Sequence, residues 1–107
     1  NMLSWNITFS GGGLSGGARA AHFHEAAIGI AGPVRLDIGM ISGLMSPMIG
    51  MATITDTQRT ALLAGNWYVN VHSNTFTTGE VRGQVVPAPA SLAMVALMVG
   101  GLSRRRR

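Results

Sequence analysis

The sequence predicts an all-β protein, an antiparallel sandwich or barrel, and three observations carry that expectation. Short runs alternate apolar and polar residues with a period of two, glycine-rich breaks separate them, and helical patterning is confined to one brief internal segment and the C-terminal tail. In chain order, "LSWNITFS" sets Leu3, Trp5, Ile7 and Phe9 against Ser4, Asn6, Thr8 and Ser10, as in a half-buried strand. "GGGLSGG" follows as a turn, since glycine reaches unusual backbone angles easily and holds regular structure poorly. "ARAAHFH" is the next strand candidate, and "GPVRLDIG" places Val34, Leu36 and Ile38 inward with Arg35 and Asp37 outward. "TDTQRTALLAG" is the short helix: Thr55 or Asp56 caps its start, Ala61, Leu62 and Leu63 form its apolar side, and Gly65 suits a left-handed stop. "GNWYVNVHS" turns Trp67, Val69 and Val71 to one face and Tyr68, Asn70 and His72 to the other. "GEVRGQVV" sets Val81, Gly83 and Val85 opposite Glu80, Arg82 and Gln84, and "NTFTTG" joins these two strands as a hairpin loop.

Composition excludes several classes of function. At 107 residues the chain has room for one small core. Its net charge of +4 lies wholly in Arg104 to Arg107, because Arg19, Arg35, Arg59 and Arg82 balance Glu25, Asp37, Asp56 and Glu80. A charge run with no basic face behind it argues against nucleic acid as a partner. There is no Cys, hence no disulfide, thiolate chemistry or cysteine zinc site. Ser73 follows His72 directly, so the two face opposite ways on a strand and no nucleophile elbow surrounds them. "GGGLSGG" lacks the Gly-Lys-Ser/Thr ending of a phosphate loop. Met40, Met45, Met48 and Met51 are soft-ligand candidates for copper(I), but their spacing has no ligand regularity and predicts core or interface filling instead. No catalytic residue is expected.

The tail, "VPAPASLAMVALMVGGLSRRRR", runs from a proline pair through an uncharged apolar stretch to four arginines. Pro87 and Pro89 would separate a C-terminal hydrophobic helix from the last strand, and Pro89 to Leu102 would extend about 21 Å as helix. That is short against a hydrocarbon core of about 30 Å, so the arginines would have to snorkel or the bilayer thin. Arginine clusters stay cytoplasmic, which would put the β-domain outside. The chain opens at Asn1 without an initiator Met or apolar leader, and any export leader is expected to have been removed or to lie outside this sequence.

Taken together and in this order, "AHFH", "GPVRLDIG", "LLAGNWYVNVHS" and "GEVRGQV" resemble the CHRD domain, the repeat described in chordin and widespread in bacterial secreted proteins. The resemblance covers about residues 3 to 86 and is densest at "YVNVH" and "GEVRGQ". It implies an exported β-domain with a fold like the copper-zinc superoxide dismutase or immunoglobulin-like sandwich. Two departures affect local turns: Glu25-Ala26 stands where the family often has Gly-Pro, and "NTFTT" lacks the usual proline. The tail resembles a PEP-CTERM sorting signal, with Pro87-Ala88-Pro89 in place of the Pro-Glu-Pro motif. That resemblance implies an exosortase-type processing enzyme as partner and a transient membrane anchor. The expected organisation is a CHRD-like domain over residues 1–86 and a sorting tail over 87–107.

His22 and His24, two apart on a strand, project from one face with Cα atoms about 6.5–7 Å apart. His72 joins them as a third metal ligand if its strand lies alongside, with water or a carboxylate such as Glu25 completing the shell of a zinc or copper ion. Hydrogen bonding to loops, with Asn70, Glu80 and Arg82 in structural roles, is the competing account of the same residues. The leading expectation is an exported cell-envelope or matrix domain with a structural, adhesive or binding role. The alternatives are a histidine-based metal-binding or dismutase-like protein, and a self-associating subunit of an extracellular polymer.

Overall fold

The computed structural model describes residues 1–9, 14 and 17–86, together with the backbone of Met94–Leu97 and Ser103–Arg104. Most of the "GGGLSGG" turn and of the tail therefore lies outside the described residues. Strands β1 (Met2–Ile7), β2 (Ala18–Glu25) and β3 (Val34–Asp37) precede helix α1 (Ile38–Ser42). Strand β4 (Met48–Thr53), helix α2 (Asp56–Leu63) and strands β5 (Trp67–Ser73), β6 (Val81–Gln84), β7 (Met94–Leu97) and β8 (Ser103–Arg104) follow. They form a three-stranded sheet in the order β4-β1-β7 and a five-stranded sheet in the order β3-β2-β5-β6-β8. All described pairings are antiparallel except β1 with β7.

The core lies between the sheets and comes from the alternation seen in the sequence. Leu3, Trp5 and Ile7 of β1 face Phe23 of β2 and Trp67, Val69 and Val71 of β5, all buried. Trp5 meets Phe23 edge-on with ring centroids 5.5 Å apart, and Phe23 packs on Trp67 at 5.6 Å. Burial of each such large side chain contributes on the order of 1.5–3 kcal/mol. The hairpin "YVNVHS"/"GEVRGQV" forms as expected, with Asn70 opposite Arg82. Helix α2 begins with a full capping box: the Thr55 hydroxyl accepts from Gln58 N at 3.0 Å, and the Gln58 side chain accepts from Thr55 N at 2.9 Å. Gly65 ends the turn after it at φ 81°, a left-handed angle that side-chain-bearing residues rarely adopt.

Five details differ from the expectation or refine it. A second helix, α1, starts at Ile38, because Asp37, the last residue of β3, caps it by accepting from Met40 N at 3.0 Å. Val34 is exposed although Ile38 is buried and Leu36 packs on the core. The pairing register of β2 with β3 shifts between Phe23 and His24, which breaks the simple alternation there. Of the four methionines weighed as soft ligands, Met48 enters the core as expected, whereas Met40, Met45 and Met51 are exposed. The C-terminal hydrophobic helix is not found among the described residues: Met94–Leu97 and Ser103–Arg104 are strands on β1 and β6. The open backbone edges of β1 and β6 supply the hydrogen bonds that a lone apolar helix would have to make within itself. No helix among the described residues is long and apolar enough to cross a membrane.

Candidate metal centre

The three histidines meet on the outer face of the five-stranded sheet. Strand β2 lies antiparallel beside β5, with His22 opposite Asn70, His24 opposite Tyr68 and Ala20 opposite His72. Because Phe23 and Val71 point into the core, the period of two turns His22, His24 and His72 to the same outer side. One ring nitrogen from each lies within 4.8 Å of the others, the one such grouping of His, Cys, Asp or Glu among the described residues. An ion with metal–nitrogen bonds of about 2.0–2.1 Å places tetrahedral ligand atoms about 3.4 Å apart, so nitrogens as much as 4.8 Å apart have to close by about 1.4 Å at most.

Hydrogen bonding fixes how each ring faces the centre. His24 Nδ1 is 2.8 Å from the Gly32 carbonyl oxygen, and His72 Nδ1 is 2.8 Å from that of Thr77. A carbonyl oxygen only accepts, so both Nδ1 atoms carry hydrogen and both Nε2 atoms keep a lone pair. His22 Nδ1 lies 3.1 Å from His72 Nε2 and must therefore donate to it. His22 Nε2 faces Asp37 Oδ2 at 3.6 Å from the neighbouring strand. Burial lowers the pKa of His22 below its ordinary value, the Asp37 carboxylate opposes that shift, and the His72 ring adds to it. Imidazole nitrogens are donors of the kind that suits zinc or copper.

Two loops and a stack of rings hold this arrangement. The loop after β2 is tied down by Gln84 Nε2, which donates to the Ala26 and Gly65 carbonyls at 2.9 and 2.8 Å, and by the Arg82 guanidinium, which donates to the Ala27 carbonyl at 3.1 Å. Gly32 also donates its N–H to the Tyr68 hydroxyl at 3.0 Å, and a Cβ on Gly32 would collide with the Glu25 carbonyl oxygen. Tyr68, fully buried, stacks on His24 with centroids 4.9 Å apart and planes 12° off parallel. Arg82 covers the ring's other face at 3.5 Å from its centroid, a cation–π contact. The hairpin loop that presents the Thr77 carbonyl is closed by Ser73, whose hydroxyl accepts from Phe76 N at 2.9 Å.

A profile of the CHRD domain matches residues 1–85. This chain belongs to the CHRD family. No curated protein and no solved structure matches it. Within this CHRD domain the structure brings His22, His24 and His72 together as their spacing suggested, but Glu25 is not among them. Glu25 sits at the end of β2 and accepts from Arg35 Nε at 2.9 Å in an ion pair. Asn70 and Glu80 are buried beside the site, and Arg82 serves the loop and the stack. Asp37, Gly32 and Tyr68 were not singled out from sequence. Only Asp37 carried a usable signal, as a polar residue directly before the helix-compatible "IGMISG".

Proposed function

We propose that this CHRD domain holds one zinc or copper ion between His22, His24 and His72 and does so on an exported cell-envelope protein. The observation that carries the metal reading is the two-sided use of every ring: one nitrogen turned toward the shared centre, the other set against a carbonyl or carboxylate. Such outer partners orient metal-binding imidazoles and raise their basicity. Three protein donors leave a coordination position for water or an exogenous ligand. Titration of metal-free protein with zinc and with copper, followed by calorimetry, tests the reading. One ion per chain is expected, with affinity lowered by orders of magnitude in His24→Ala. Equal binding by wild type and His24→Ala would leave hydrogen bonding as the role of these histidines.

Export and anchoring rest on the order of features in residues 87–107: a proline pair, an apolar run and four terminal arginines, as in a PEP-CTERM tail. On that reading an exosortase-type enzyme cuts near Pro87 to Pro89 and the domain remains outside the cell. A tail-retaining chain in mature extracellular material would overturn the cleavage.

One observation favours self-association as an additional structural or adhesive role. Strand β4 is a sheet edge without charged residues, and Ile49 and Met51 on it are 61% and 57% exposed. Uncharged, apolar edges pair with other chains unless something guards them. Sedimentation of wild type against Met51→Lys tests this role: concentration-dependent association is expected only in the wild type, and a monomer at all concentrations would overturn it.

A further inference from the structure

Asp37 occupies a position that no property of a plain edge strand demands. It is the last residue of β3, lies opposite His22 in the β2–β3 pairing, and is also the N-cap of α1. Its two oxygens are divided between these tasks. Oδ1 accepts from Met40 N at 3.0 Å, which anchors the carboxylate to the first turn of the helix, and Oδ2 faces His22 Nε2 at 3.6 Å. A carboxylate tied at one oxygen has little freedom to turn the other away, so α1 aims Asp37 at the histidine.

The tautomer of His22 shows what this aim accomplishes. In the metal-free cluster His22 carries its hydrogen on Nδ1 and donates it to His72 Nε2, so these two nitrogens share one hydrogen and cannot both be ligands. His24 and His72 differ, since their outer Nδ1–H groups already sit on the Gly32 and Thr77 carbonyls. We infer that Asp37 is a positioning residue of the metal centre: it receives His22 Nε2–H when His22 changes tautomer and binds through Nδ1, alongside Nε2 of His24 and Nε2 of His72. One hydrogen leaves Nδ1 and one is held at Nε2, so the ring stays neutral and the net proton count of the ring is unchanged. The outer partners of the three ligands are then two main-chain carbonyls and one carboxylate, and the carboxylate serves the ligand whose tautomer has to switch.

This inference rests on the histidine metal reading, and zinc binding by the full chain separates the two. Zinc affinity is measured for wild type, Asp37→Asn and Asp37→Ala, and ring nitrogen shifts are recorded by NMR with and without zinc. Asparagine keeps an N-cap oxygen and so keeps α1, but lacks the charge that draws Nε2–H. Wild type is expected to bind one zinc with His22 ligated through Nδ1 and the other two rings through Nε2. Asp37→Asn is expected to keep the wild-type melting temperature and to bind zinc about 10-fold or more weakly, the scale typical of outer-shell partners. Asp37→Ala should lose the cap as well and melt lower. If wild type binds zinc through the histidines while Asp37→Asn binds equally well, or if His22 ligates through Nε2, the inference is wrong and the metal reading stands. If wild type binds neither zinc nor copper, both fall, and if it binds copper alone the same comparison of wild type with Asp37→Asn is read with copper.

Discussion

His24 shows how one residue is fixed from several directions. Its strand neighbour Tyr68 supports its face, and the Gly32 carbonyl fixes its tautomer. Tyr68→Phe keeps the stacking ring but removes the hydroxyl that accepts from Gly32 N, so the loop loosens without loss of the platform. A stability loss of about 1 kcal/mol and a modest fall in zinc affinity are expected, measurable by thermal unfolding and titration. His22 adds a pH dependence to the metal-free domain. Its folded pKa lies below the ordinary 6.5, so the unfolded chain takes up its proton first as pH falls. Its contribution to stability is therefore complete above 6.5 and declines as pH drops through and below that value. A melting temperature lower at acidic than at neutral pH agrees with this, and the opposite order would contradict it. The histidines themselves were legible in the sequence, because a period of two fixes which residues share a face. Their outer partners were not: Gly32 and Thr77 act through main-chain carbonyls, which any residue type supplies.

At the level of elements, the site depends on structure well away from it. Helix α2, which the capping box starts, ends in a turn whose Gly65 and Asn66 carbonyls hold Gln84 and Ala26, and these in turn fix the loop over Tyr68. Thr55→Ala should cost about 1 kcal/mol and lower the melting temperature by about 4–8 °C, with zinc stoichiometry unchanged. Gly32→Ala should be worse for binding than for folding, since the collision with Glu25 displaces the carbonyl that orients His24. The α2 cap and the β5–β6 hairpin were readable because capping residues and alternation are local signals. Helix α1 was missed, because "RLDIG" continues the strand alternation up to Ile38 while the Asp37 cap overrides it. The exposure of Val34 was equally hidden, since a register shift is set by two strands together and leaves no mark in either alone.

On the scale of the whole molecule, the proposed metal centre draws on described residues between His22 and Arg82, all within the CHRD match and none from the tail. A chain ending at residue 86 is therefore expected to fold, to give a β-type circular dichroism spectrum and to bind zinc like the full chain. Loss of folding would mean that β7 and β8 are needed to cover the edges of β1 and β6. The sandwich was readable from alternation and loop spacing, whereas the partners of the tail strands depend on long-range pairing that hydropathy cannot specify. X-ray absorption at the zinc edge of the loaded full chain tests the central claim most directly. Three imidazole nitrogens at about 2.0–2.1 Å are expected around each zinc, falling to two in His72→Ala. A zinc shell of oxygens alone, or one unchanged by His72→Ala, would contradict it.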